Sequence, residues 1–159
     1  MKTSIKYLLV ISLLILNISG CKKGTNTTPD PVPVPDTTKP TISITKPTAG
    51  QIFNAGNTIT FQATFTDNKE LKSYEIAVSK VVTGGLILKV VPTFAPFSYT
   101  KSSTSFTSGV KQQEINLSDI TIPSNTATTI VTTGKYNFKV SCTDVSNNST
   151  EVILEININ

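Results

Sequence analysis

The sequence predicts an all-β domain, and three observations carry the prediction. Apolar residues alternate with polar ones at a period of two over several stretches, as half-buried strands require, and no segment repeats them at helical spacing for three turns. Threonine is abundant, and its β-branched side chain packs well on a pleated surface. Turn-forming groups, among them Ala49-Gly50, Thr83-Gly84-Gly85 and Asn147-Asn148, separate the alternating stretches.

Residues 1–20 stand apart from that domain. Lys2 and Lys6 give a positive start, Tyr7 to Leu16 is apolar apart from Ser12, and Ser19 and Gly20 let a peptidase approach the backbone. The apolar stretch is about half the roughly 20 residues that a bilayer-spanning helix needs, so a signal peptide that is removed is the expectation. At the cleavage point stands Ile18-Ser19-Gly20-Cys21, which resembles the bacterial lipobox, with Ile18 where leucine is usual. The resemblance implies that the Cys21 sulfur receives a diacylglyceryl group, that cleavage follows Gly20, and that the new amino terminus is acylated too. Two or more acyl chains, at roughly 0.8 kcal/mol per buried methylene, anchor a domain stably to a membrane. The blander alternative is a secretory signal with an incidental cysteine.

Residues 21–38 read as a linker. Between Gly24 and Thr38 the only apolar core candidates are Val32 and Val34, isolated within Pro29-Asp-Pro-Val-Pro-Val-Pro35. Alternating proline favours polyproline II at about 3.1 Å per residue, which gives a reach of roughly 45 Å. A Pro-rich peptide ligand is the other reading of such a stretch.

Residues 39–159 are the expected β domain, long enough for one core. Ile42 and Ile44 open it, and Ile59, Phe61, Ala63 and Phe65 alternate with Thr60, Gln62 and Thr64. Tyr74, Ile76 and Val78 follow. Val81-Val82 and Leu86 to Val91 flank Gly84-Gly85 as a hairpin, since adjacent glycines accept the positive φ of a primed turn. Thr93 to Gly109 reads as irregular, Val110 to Leu117 and Ile120 to Pro123 as two strand stretches. Tyr136, Phe138, Val140 and Cys142, then Val152, Leu154, Ile156 and Ile158, supply the last two strands.

Composition excludes several functions. Removing residues 1–20 takes Lys2 and Lys6 and lowers the formal charge from +4 to +2. All fourteen basic residues are lysine, so the side chain best suited to bidentate phosphate or guanine contacts is missing and nucleic-acid binding is disfavoured. Histidine and tryptophan are absent, and lipidation of Cys21 leaves Cys142 as the only thiol. A Ser-His-Asp triad, a Cys-His pair, a zinc cluster and an intradomain disulfide are therefore all excluded. Paired carboxylates can run glycoside hydrolysis alone, but here they lie in turns or on outward strand positions, so no enzymatic activity is expected.

Gly134-Lys-Tyr136-Asn-Phe138-Lys-Val140-Ser-Cys142-Thr-Asp144, with Ser146-Asn147-Asn148-Ser149 behind it, resembles the last two strands of bacterial immunoglobulin-like domains. Lys39-Pro40-Thr-Ile-Ser-Ile, Pro47-x-x-Gly50 and Phe65-Thr-Asp67-Asn68-x-x-Leu71 resemble their opening. The likeness covers residues 39–79 and 119–158. With the lipobox and linker, the chain resembles a family of Bacteroidota cell-envelope lipoproteins, whose biochemical role the resemblance does not supply. It implies an immunoglobulin-like antiparallel β-sandwich of about seven strands. In such a fold Tyr136 would bury its ring and bond its hydroxyl to upstream backbone, while Cys142, lacking the usual disulfide partner, would be a small buried hydrophobe.

The same topology would gather the loops after the second and sixth strands at one end, with Asp67, Asn68, Glu70, Asp144, Asn147 and Asn148. Asp67, Asn68, Asp144 and Asn147 are the candidate ligands, and an oxygen-only set suits Ca²⁺. The competing reading is ordinary loop capping, for which Asp and Asn are the default residues. Phe94, Phe97, Tyr99 and Phe106 are candidates for an exposed platform facing a glycan or a protein partner, or else they close the open edges of the sandwich. The expected role is a lipid-anchored binding or structural accessory protein of the cell envelope, in the outer membrane, with a glycan-capture component as the alternative. Lys22-Lys23 lacks the acidic residues that resemble a surface-export signal, so a periplasmic outlook stays open.

Overall fold

The computed structural model describes residues 33–82 and 92–159. The signal peptide, Cys21, most of the linker and the Gly84-Gly85 hairpin lie outside the described residues. Residues Pro35–Asn159 form one compact unit, which takes in Asp36, Thr37 and Thr38 from the stretch read as linker.

Ten strands are found among the described residues: β1 (Thr41–Lys46), β2 (Ile52–Phe53), β3 (Thr58–Thr66), β4 (Leu71–Lys80), β5 (Thr93–Ala95), β6 (Tyr99–Ser105), β7 (Gln112–Thr121), β8 (Thr129–Val131), β9 (Gly134–Asp144) and β10 (Ser149–Ile158). They form a three-stranded sheet in the order β1-β3-β7, a five-stranded sheet in the order β2-β10-β9-β4-β6, and a small β5-β8 pair. The β2–β10 and β5–β8 pairings are parallel and the others antiparallel. The fold is an all-β sandwich.

Period-two alternation builds its core. Ile59, Phe61, Ala63 and Phe65 of β3 are buried, as are Tyr74, Ile76 and Val78 of β4 and Tyr136, Phe138, Val140 and Cys142 of β9. The Phe61 ring stacks on Phe138 with centroids 5.7 Å apart, joining the two larger sheets. Burying a side chain of this kind stabilises by roughly 1.5 to 3 kcal/mol. Phe65, Tyr74 and Phe106 pack as a second aromatic group, with centroid separations of 5.2 to 5.5 Å. Tyr136 is fully buried, and its hydroxyl donates to the Thr132 carbonyl at 2.5 Å and accepts the Phe97 N–H at 3.3 Å. A buried phenol thus keeps its polar end satisfied.

The strand count exceeds the expected seven or so because of short elements. β2, β5 and β8 have two or three residues, too few to display a period. Part of the stretch read as irregular is strand β6, Tyr-Thr-Lys-Ser-Ser-Thr-Ser, which among the described residues is an edge strand with β4 as its one neighbour. An edge strand need not carry apolar alternation, and a polar edge resists pairing with other chains. The two stretches on either side of Ser118-Asp119 are one strand, β7. Between Ile59↔Ile120 and Phe61↔Leu117 it carries one residue more than β3, a bulge that shifts the phase of its pattern. No helix among the described residues is long and apolar enough to cross a membrane.

Candidate metal centre

The loop between β3 and β4 and the loop between β9 and β10 lie together because Leu71, the first residue of β4, pairs with Asp144, the last of β9. Each loop is shaped by its own aspartate. Asp67 Oδ1 accepts the N–H groups of Lys69 and Glu70, both at 2.8 Å, which closes an Asx turn. Asp144 Oδ1 accepts the Asn148 N–H at 2.7 Å, and its Oδ2 accepts the Asn148 side-chain amide at 2.7 Å. Asn147 turns the chain with a φ of 67°, a left-handed conformation that asparagine tolerates. The Val145 N–H donates to the Glu70 carbonyl at 3.1 Å and braces one loop on the other.

A third carboxylate comes from outside both loops. The antiparallel pairing Thr41↔Thr66 sets the residues before β1 beside those after β3. Asp36 therefore reaches the same spot, with Oδ1 accepting the Thr38 N–H at 3.0 Å and the Asn68 amide at 3.2 Å. Its main-chain carbonyl accepts the Asn148 amide at 3.1 Å. Asp36, Asp67 and Asp144 each offer a carboxylate oxygen, and these oxygens lie within 4.8 Å of one another.

Asp144 is wholly buried. Asp36 and Asp67 are only partly so, yet the Oδ2 atom of each is enclosed and has no hydrogen-bond partner. A buried carboxylate oxygen without a partner is costly, since desolvation goes uncompensated. The ion pairs among the described residues are Lys101–Asp119, Lys135–Glu155 and Lys139–Glu151, and none of them touches the cluster. The Thr38 N–H, helped by the Asn68 amide and the charge of Lys69 against partial desolvation, holds the Asp36 carboxyl below the usual range. Burial, with Asp67 and Asp144 nearby, pushes the Cys142 thiol up to about 12. A neutral thiol is no rival to the oxygens for a hard cation.

The three carboxylates offer oxygens of the kind Ca²⁺ takes and would supply part of the six to eight ligands of its flexible shell. Of the four candidate ligands named from the sequence, Asp67 and Asp144 converge. Asn68 instead donates its amide to Asp36, and the Asn147 Oδ1 accepts the Lys72 ammonium at 2.7 Å, turned to another partner. Glu70 is likewise engaged elsewhere, with Oε1 accepting the Gly109 N–H at 2.7 Å and the Ser108 hydroxyl at 3.2 Å. Sequence reasoning missed Asp36 by assigning it to the linker. The signal that could have found it is the pairing rule, because a first strand antiparallel to the second begins where the second ends.

The four aromatics are not gathered into one exposed platform. Phe97 is buried against Tyr136, with centroids 6.4 Å apart, and Phe106 packs on Phe65 and Tyr74. Tyr99 is half-buried at the start of β6, while Phe94 on β5 is 56% exposed. Phe97, between β5 and β6, and Phe106, directly after β6, each pack against core aromatics, which removes support for a stacking surface. A cleft of about 340 Å³ is lined by Thr45, Lys46, Thr48, Gln51, Phe53, Thr58 and Thr60. Lys46 is its one titratable side chain, so it brings together no acid and base.

Among solved structures, the chain is similar to a β-glucosidase from Listeria innocua in complex with glucose, at 10% identity and a TM-score of 0.37 over 84% of this chain and 20% of that one. A second structure of a β-glucosidase from Listeria innocua gives 12% identity and a TM-score of 0.35 over 76% and 16%. The chain spans a fifth or less of the length of these structures, a likeness too slight to bear on function. No curated protein sequence matches it. A family model described as a domain of unknown function, DUF4625, matches residues 20–159.

Proposed function

The chain belongs to the DUF4625 family, and from that premise we propose that it is a Ca²⁺-binding, immunoglobulin-like β-sandwich, lipid-anchored at Cys21 in a bacterial envelope, acting as a binding or structural accessory protein. One observation carries the cation reading. Three carboxylates meet within 4.8 Å, and two of them hold enclosed oxygens with no hydrogen-bond partner. A divalent cation would satisfy those oxygens, which the neighbouring hydrogen bonds leave without a partner. The immunoglobulin-like reading is supported by the order of the two larger sheets and by the Tyr136 hydroxyl bonded to backbone upstream. The anchor rests on Ile18-Ser19-Gly20-Cys21 and the apolar run before it.

Calorimetric titration and thermal melts of chelator-treated protein test the cation. A ligand that binds only the native state at a hundred times its Kd stabilises by about 2.7 kcal/mol, so Ca²⁺ should raise the melting temperature visibly. Mg²⁺, which demands a tighter octahedral shell, should do less. Asp67→Asn should remove the Ca²⁺ response. A melting temperature indifferent to Ca²⁺ would return Asp67 and Asp144 to the role of loop caps.

A further inference from the structure

The three carboxylates differ in how they are held. Asp67 and Asp144 are fixed by their own loops, which close on β3, β4, β9 and β10. Asp36 lies in no strand, between Pro35 and the start of β1 at Thr41. Beyond its own turn with Thr38, it is held among the described residues by two hydrogen bonds, both from residues beside the cluster: the Asn68 amide to Oδ1, and the Asn148 amide to its carbonyl. The next fixed point is the Pro40 carbonyl, which accepts the Thr150 hydroxyl at 2.5 Å.

We infer that Ca²⁺ acts here as a clasp on the amino-terminal edge of the domain: by bridging Asp36 to Asp67 and Asp144, it fastens residues 36–39 onto the sandwich. The inference rests on the cation site proposed above and adds what loading it would do. Without the cation nothing bridges the three carboxylates: Asp67 and Asp144 stay in their closed turns, and Asp36, which lies in no strand, is the one whose backbone can move away. The first fixed point among the described residues is then Pro40, and the four released residues at about 3.1 Å each can extend by roughly 12 Å. The segment sits outside the core, where local release needs little unfolding.

Hydrogen exchange of the purified full chain, with Ca²⁺ or with chelator, tests the clasp through the amides of Asp36, Thr37, Thr38 and Lys39. Ca²⁺ should slow their exchange about tenfold or more, and Asp36→Asn should abolish that protection. Asparagine can still accept from Thr38 and Asn68, so the variant should fold and the amides of β3 and β9 should exchange as in the parent. If Ca²⁺ raises the melting temperature but leaves these four amides unchanged, the clasp is wrong while the cation site stands. Protection that persists in Asp36→Asn would also overturn the clasp, because the bridge would not run through that carboxylate. If Ca²⁺ alters neither melting nor exchange, clasp and site fall together.

Discussion

Phe138 and Lys139 are neighbours in the chain and opposites in environment. Phe138 is fully buried and stacked on Phe61, whereas Lys139 points outward and pairs with Glu151 at 3.0 Å. Phe138→Ala should cost about 3 to 5 kcal/mol and Lys139→Ala less than about 1 kcal/mol in urea titrations, with equal losses contradicting the face assignment. Cys142, two residues before Asp144, is buried with its thiol raised from 9.0 to about 12, chiefly by burial. It should resist alkylation at pH 8 in the native state and react once unfolded, read by mass spectrometry of its own peptide. Because the folded thiol stays protonated where the unfolded one ionises, stability is unaffected below pH 9.0 and declines as pH rises toward about 12. Period two made Phe138 and Cys142 legible in the sequence. Asp36 was not, since a charged residue among prolines looks like linker until the strand pairing shows what it lies beside.

At the scale of elements, alternation revealed the strands that have a face against the core along their whole length, β3, β4, β9 and β10. It failed where a strand is short, as in β2, β5 and β8, where it is a polar edge, as in β6, and where a bulge changes its phase, as in β7. The start of β9 is set by Gly134, whose φ of 115° suits glycine alone. A Cβ there would also meet the Lys80 ammonium at 2.8 Å, although that flexible group can move aside. Gly134→Ala should therefore destabilise by about 1 to 3 kcal/mol through backbone strain, and Lys80→Ala in the same background should recover little of it in a denaturant titration. Tyr136→Phe tests the next position. It leaves the Thr132 carbonyl and the Phe97 N–H without their partner, for an expected loss of about 1 to 3 kcal/mol in thermal melts.

For the whole molecule the sequence supplied the class of fold and two of the three carboxylates, because strand faces and turn residues are local properties. Meeting points between distant segments are not local, and the third carboxylate belongs to one. The anchor is tested on the intact chain: Cys21→Ser should shift the protein out of the lipid-modified fraction, and mass spectrometry of the parent should find acyl chains on the Cys21 peptide. An unmodified thiol in the membrane-extracted protein would falsify the lipoprotein reading. The path of β1 and β2 has a mechanical consequence. β1 is laid along β3 in one sheet, and only a few residues later β2 is laid along β10 in the other. The leading end of the domain is thus stitched into both layers, so tension arriving from the amino-terminal side meets first one sheet and then the other. Peeling the first strand does not by itself free the chain, and resistance to pulling is governed by the slow rupture of two ladders in succession.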